Sequence, residues 1–427
     1  MTTIYYDSVT GDDTSSGAGG IEVTGTNCDA TGGSNTFTLN ETVDLSGFAA
    51  GDVFFTAGTT GERHLFSIAS FTGGAATCTA IVTTEAVGAT TISGAAWSVG
   101  GVRKTLRADT SREDHLDWAA AWTKEFADGG SFEVGVPITT WNDLPDETQL
   151  WRTGPGYASR ARIWSSADKV IDFTVPEDNR WRCDGIHFDC SAASDETVEL
   201  GSDDCRITFV DCEFSSTNHV ALKLATGGSG IFEFLGGEVS GAGTIGMYLA
   251  IGVDCHWRFS RFRITNCDEP GMNINLSGAR TSFVMDEVQI DGCGGSTYDG
   301  IYFDSAGGNA HAVWTNCTFV GNGRHGINFS RATLPDNTNI LIENCRFESN
   351  DDHPVSFADA TNGPLSAIID TCSFWGNGTD AVEDGPTPTN TITPTADPSV
   401  NAAAGNFNLN NDANGGALLR EAGVKLQ

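Results

Sequence analysis

Three acidic residues, Asp189, Glu213 and Glu238, recur at steps of 24 and 25 residues, each just before the last apolar position of a short alternating pattern. If each pattern is a strand laid on the next, their carboxylates stack about 4.8 Å apart on one outer face. Two carboxylates about 5 to 5.5 Å apart suit a retaining glycosidase. Stacked acids also suit a bound calcium ion. The third reading is a solvated acidic face without chemistry, whose like charges repel unless something compensates them. Arg263 continues the column, followed by Gln289, Thr318, Arg346 and Ser373. A second group, Tyr248, Asn273, Tyr302 and Asn328, sets aromatic faces beside amides, which makes a carbohydrate-binding strip or an ordinary strand surface. Asp351-Asp352-His353 reads as a corner between strands, and Trp141, Trp151 and Trp164 read as packing. No GxSxG, Walker loop or HExxH motif is present.

A repeat must position these residues. Eight copies of one pattern, an apolar residue followed by others at plus three, five and seven, begin at Cys183, Ile207, Phe232, Trp257, Phe283, Ala312, Ile340 and Ala367. The copies end at Cys190, Phe214, Val239, Ile264, Ile290, Phe319, Phe347 and Phe374, with steps of 24 to 29 residues. That is one coil of a parallel β-solenoid, whose coils bury their apolar sides only against neighbours. An interleaved series runs Val198-Glu199-Leu200, Leu222-Lys223-Leu224, Met247-Tyr248-Leu249, Met272-Asn273-Ile274, Ile301-Tyr302-Phe303, Ile327-Asn328-Phe329 and Val355-Ser356-Phe357. Two apolar side chains flank one that points outward, the period of a strand with one buried face. Gly246, Gly271, Gly300 and Gly326 precede four of these triplets, where positive φ would serve a tight corner. Gly321-Asn322-Gly323 and Gly376-Asn377-Gly378 supply further corners.

The chain has 427 residues and a net charge of −33, from 23 basic and 56 acidic side chains. Such a surface opposes phosphate backbones, so nucleic acid is not an expected partner. The start Met1-Thr2-Thr3-Ile4-Tyr5-Tyr6 has neither a basic nor an apolar leader segment, which predicts no export by the usual route. No apolar run reaches the roughly 18 to 20 residues that membrane insertion needs. Cys212, Cys317, Cys345 and Cys372 share one inward position, so a ladder of thiols filling the core is expected.

The expected fold class is all-β: a right-handed parallel β-helix with an N-terminal capping helix and a small inserted β-domain. Residues 1–20 form an N-terminal strand or cap, and 21–100 form the Thr-, Gly- and Ala-rich insert, a possible adaptor. The β-helix occupies 101–384, and 385–427 form an extended strap with a terminal strand at Asn406-Phe407-Asn408-Leu409. Trp118, Trp122 and Phe126 repeat every fourth residue after a capping Ser111, which predicts the capping helix over 111–127.

Several pieces carry a family resemblance. They are Tyr5-Tyr6-Asp7 with Gly11-Asp12-Asp13-Thr14-Ser15-Ser16-Gly17, the coils of Asn316-Cys317-Thr318-Phe319 and Asn344-Cys345-Arg346-Phe347, and the ending from Asp397-Pro398 through Gly405-Asn406-Phe407-Asn408-Leu409 to Ala422-Gly423. They resemble the right-handed parallel β-helix proteins of the pectate-lyase-like superfamily, in the form found among structural and tail proteins of tailed phages. The resemblance implies a virion structural protein, such as a β-helical spike, fibre or capsid-surface decoration. It would be homotrimeric, non-enzymatic, assembled in the host cytoplasm with other virion proteins, and without cofactor. The alternative is a tailspike depolymerase, a hydrolase or lyase acting on host surface polysaccharide. Then Asp189, Glu213 and Glu238 would be catalytic, and Tyr248 and Tyr302 would bind carbohydrate.

Overall fold

The computed structural model describes residues 3–6, 19–56, 65–84, 86–87, 91–101, 123–134, 137–138, 148–154, 157–175, 177–192, 196–202, 204–251, 254–276, 280–305, 310–330, 339–357, 366–401 and 406–421. They fall into two units, Met1–Phe173 with Asn179–His187, and Thr174–Asp178 with Phe188–Gln427.

In the first unit, Thr3–Tyr6, Thr123–Phe126, Thr148–Thr153 and Arg180–Asp184 pair side by side as parallel strands. The chain leaves this sheet after Tyr6 and rejoins it at Thr123, directly beside the strand it left. Between them, strands Gly19–Ala30, Thr36–Val43, Cys78–Thr83, Leu65–Thr72, Val53–Thr56 and Ile92–Gly101 close, in that order, into a barrel. Alternation turns Phe37 and Leu39 inward, where Phe37 packs 4.9 Å from Phe54 and 4.7 Å from Phe66. The helix expected over 111–127 is corrected at its end: Thr123–Phe126 is a strand, and the rest lies outside the described residues. Its backbone groups are satisfied by parallel neighbours on both sides, and Phe126 packs on Phe132 and Trp151 in the core. Lys124 and Trp151 share a rung of this sheet and are both fully buried.

The second unit holds seven complete coils of a parallel β-helix. Each coil gives one strand to each of three sheets. The first sheet runs from Cys205–Val210 to Ser366–Asp370, the second from Glu213–Ser216 to Ser373–Trp375, and the third from Val198–Ser202 to Val355–Ser356. Every pairing within these sheets is parallel and in register. The two interleaved sequence series are the strands of all three sheets.

Inside, like stacks on like. Phe232 lies 4.2 Å from Trp257, Phe234 lies 4.7 Å from Phe259, and Phe329 lies 4.6 Å from Phe357. All twelve cysteines are buried free thiols, and burial holds the Cys345 thiol protonated. Asn322, Asn350 and Asn377 form an internal ladder. Asn322 Nδ2 donates to Asn350 Oδ1 at 2.9 Å, and Asn350 Nδ2 donates to Asn377 Oδ1 at 2.8 Å. The same amides cap the carbonyls of Ile290, Phe319 and Phe347.

The corners follow a strict rule. Between the first and second sheets each coil has a residue of positive φ at one matching position, Asp211, Gly236, Arg261, Glu287, Asn316, Asn344 and Thr371, and Gly237 adds a second in its coil. The glycines preceding the third-sheet strands are not in that region. A Cβ on Gly246, Gly271, Gly300 or Gly326 would lie 2.5 to 2.9 Å from the carbonyl oxygen of the next coil, so they are glycines because the rungs leave no space.

Beyond the last full coil, Glu383 and the strap that follows it make one more partial rung. Glu383 bridges Ser356, Thr389 bridges Asp370, and Ile392 bridges Ser373. Ser399–Asn401 then pairs antiparallel with Asn406–Leu409, ahead of a short helix, Gly416–Glu421. Ser399 lies over the buried Arg346–Glu348 ion pair of the second sheet and hydrogen-bonds both residues. No helix among the described residues is long and apolar enough to cross a membrane.

Two outcomes are expected. Asn350→Ala strips buried partners from Asn322, Asn377 and Phe319 together, and should lower stability in denaturant unfolding by about 2 to 4 kcal/mol. Thr371 is β-branched at φ 52°, so Thr371→Gly should raise stability in the same unfolding experiment by about 1 kcal/mol.

Candidate functional site

On the second sheet, Glu213 pairs directly with Glu238, and Glu238 with Arg263. Hydroxyls of the following rung compensate the acids. Ser215 Oγ donates to Asp189 at 2.7 Å, and Ser240 Oγ to Glu213 at 3.5 Å. Arg263 forks onto Asp291 instead of turning to the column, with Nε to Oδ1 at 3.0 Å and Nη2 to Oδ2 at 3.1 Å. Thr265 and Gln289 also donate to Asp291, at 2.9 and 2.8 Å, so this buried carboxylate is fully served. Among the described residues, no three His, Cys, Asp or Glu side chains group as a metal ion needs, and no residue set is assigned to calcium.

The third sheet carries a different column. Glu199, Lys223, Tyr248, Asn273, Tyr302, Asn328 and Ser356 follow one another rung by rung, and Glu383 bridges on at the end. Tyr248 and Tyr302 are half-buried, with the rung of Asn273 between them. Strand alternation points these side chains away from the core, which leaves ring faces available beside an amide.

Toward the last coils, the corner before each third-sheet strand adds polar groups. Asp299, His325 and His353 occupy one register position, two residues ahead of Ile301, Ile327 and Val355. Asp299 is 1% exposed. It accepts from Arg324 Nε at 2.8 Å and Nη2 at 2.6 Å, from the His325 backbone N–H at 3.2 Å, and from Asn328 Nδ2 at 3.1 Å. A buried charge needs that complement to remain ionised. His325 Nδ1 accepts the backbone N–H of His353 at 3.3 Å, so that nitrogen carries no proton, and burial pushes the imidazole below its ordinary value.

His353 stands between two carboxylates. Its Nδ1 lies 3.0 Å from the Ala381 carbonyl, which can only accept, so Nδ1 carries the proton. Its Nε2 is 3.4 Å from Asp352 Oδ1 and 3.7 Å from Glu383 Oε1. The second Glu383 oxygen accepts from Ser356 Oγ at 2.6 Å. The Asp352 and Glu383 side chains are 49% and 33% exposed. Their oxygens are no farther apart than the two histidine contacts laid end to end. That upper limit lies below the roughly 9.5 Å of the widest carboxylate pairs of glycosidases.

Tyr248 and Tyr302 thus share one column with Asn273 and Asn328. Asp189, Glu213 and Glu238 share another, on a different sheet. Asp352-His353 forms a turn as expected and also joins this cluster. Asp299, Arg324, His325 and Glu383 carry no strand register. Their only sequence signal is position: Asp299, His325 and His353 each precede a third-sheet strand by two residues.

A family model described as "Right handed beta helix region" matches residues 197–383. Among solved structures, a catalytic domain of GH87 alpha-1,3-glucanase in complex with tetrasaccharides is 12% identical, with 90% of this chain and 93% of that chain covered and a TM-score of 0.37. The Agl-KA catalytic domain is 10% identical, with 87% and 84% covered and a TM-score of 0.33. No curated protein matches. The family model and the coil topology together establish a right-handed parallel β-helix.

The lowered His325 value fixes a sign. As pH falls below about 6.5, the unfolded chain takes up a proton that the folded imidazole refuses, among Asp299, Arg324, Asp352, His353 and Glu383, so stability falls. Denaturant unfolding at pH 7.5 and 5.5 should show this drop in the native chain. It should be smaller in His325→Asn, whose amide oxygen can still accept from His353.

Proposed function

We propose that this chain is a carbohydrate-active β-helix that binds a glycan along the third-sheet column and hydrolyses it between Asp352 and Glu383. One observation carries the reading: two solvent-facing carboxylates flank His353 at the end of a column of tyrosines and asparagines. One carboxyl group protonates the leaving glycosidic oxygen. The other attacks the anomeric carbon or takes a proton from the attacking water. The glycosidic C–O bond breaks and the elements of water are added across it. His353, fixed through Nδ1 by the Ala381 carbonyl, sets Nε2 between both carboxylates and can donate to them from that nitrogen when the ring is doubly protonated. Asp299 locks Arg324 and the His325 backbone, which keeps the corner rigid. On the second sheet, Glu213 instead pairs with Glu238 and Glu238 with Arg263, so the rungs beside Glu238 carry charged side chains and not rings.

The motifs shared with phage tail proteins support a second reading of location. The chain would then be a homotrimer on a virus particle, among other virion proteins, and the glycan a host surface polysaccharide. Labelled particles should carry the chain; finding it only as a free monomer would remove this reading.

The catalytic reading is tested by incubation with a panel of polysaccharides and assay of new reducing ends. Asp352→Asn and Glu383→Gln should each lose about 10³-fold in rate while remaining folded. Full activity in both, with loss in Glu213→Gln or Glu238→Gln, would move the site to the second sheet.

A further inference from the structure

We propose that the glycan taken by the third-sheet face is uncharged: a neutral polysaccharide, in contrast to one bearing uronate, sulfate or sialic acid groups. This inference rests on the reading of that face as a glycan site.

The argument is the charge inventory of the face. Two basic side chains stand on it among the described residues, Lys223 in the column and Arg324 at the corner. Both are already consumed. Lys223 Nζ lies 2.7 Å from Glu199 and 3.2 Å from Glu196, so two carboxylates share one ammonium. Arg324 gives Nε and Nη2 to the two oxygens of Asp299, the bidentate geometry with which it would otherwise grip a uronate. Between these two closed ion clusters the column offers Tyr248, Asn273 and Tyr302, ring faces and an amide without charge.

The remaining charges are of the wrong sign for an anion. Asp352 and Glu383 face solvent, and the ion-pair partners they meet are histidine rings. The chain as a whole carries −33. A polyanion would approach a like-charged surface on which, among the described residues, Lys223 and Arg324 are already held in ion pairs, which weakens both encounter and binding. A neutral sugar ring meets no such opposition. It stacks on tyrosine through its C–H face and bonds through its hydroxyls to asparagine and carboxylate oxygens.

The test uses full-length Glu383→Gln as a trap, run by affinity electrophoresis at low ionic strength through gels containing neutral polysaccharides (alpha-glucans, laminarin, galactomannan) or anionic ones (polygalacturonate, alginate, hyaluronan). Binding is scored as the part lost in a Tyr302→Ala background. A neutral polysaccharide should retard the protein, with affinity about tenfold weaker without Tyr302, and the anionic ones should not. Tyr302-dependent retardation by an anionic polysaccharide would overturn the proposal while leaving the face a glycan site. Absence of Tyr302-dependent retardation by either class would overturn the glycan site itself and the proposal with it.

Discussion

Each rung of the β-helix must sit directly on the last, about 4.8 Å away, with its residues in register. Because parallel pairing repeats this step through seven coils, an interior position faces the same position above and below. A side chain there must be able to bond to, or pack on, its own kind. Amides can, and Asn322, Asn350 and Asn377 pass hydrogen bonds along the axis while also donating to second-sheet carbonyls. Flat rings can, as in Phe234 on Phe259 and Phe329 on Phe357. Glycine is forced where even a Cβ would strike the next carbonyl, at Gly246, Gly271, Gly300 and Gly326. A buried charge cannot stack on its like, and Asp291, Asp299 and Glu348 each lie against an arginine instead.

The same step organises the outside. Outward residues of one sheet form a column whether or not they share a function, so a column is evidence of register alone. Chemistry needs convergence, and convergence arises where the step is broken. The corner leading to Ile301 is longer than its neighbours, running from Gly292 to Gly300, and it brings Tyr298 and Asp299 beside the third sheet. The two following corners carry Arg324-His325 and Asp352-His353 at matching positions, so groups of different charge meet across adjacent rungs.

This explains what was legible in the sequence. The registers were, because a period-two apolar pattern recurring every 24 to 29 residues has few other physical explanations. They gave the strands, the inward cysteines, the acid column, and the shared column of Tyr248 and Tyr302. The cluster of Asp299, Arg324, His325, Asp352, His353 and Glu383 was not legible, because corner residues obey no alternation and Glu383 lies past the last repeat, just ahead of the Pro- and Thr-rich strap. The Phe126 error has a related cause. An aromatic at every fourth position fits a helix face, but four is also a multiple of the strand period of two, so for Phe126 only the parallel neighbours Thr3–Tyr6 and Leu150–Thr153 decide the matter.

The strap also decides which outer column remains available at the C-terminal end. Its later part crosses the second sheet, where Ile392 bridges Ser373 and Ser399 covers Arg346 and Glu348, which are 3% and 0% exposed. Burial raises the Glu348 carboxyl above its ordinary value even with Arg346 beside it, a sign of how far water is excluded there. The stretch just ahead of the strap instead extends the third sheet by one bridge, at Glu383, and leaves that carboxylate half in solvent next to His353. One segment thus seals the end of one column and supplies the last reactive side chain of another. A chain ending at the seventh coil would keep Asp352 and His353 and lose their partner. The cluster is therefore complete only because the rung-on-rung pairing continues into a segment whose composition gives no sign of it.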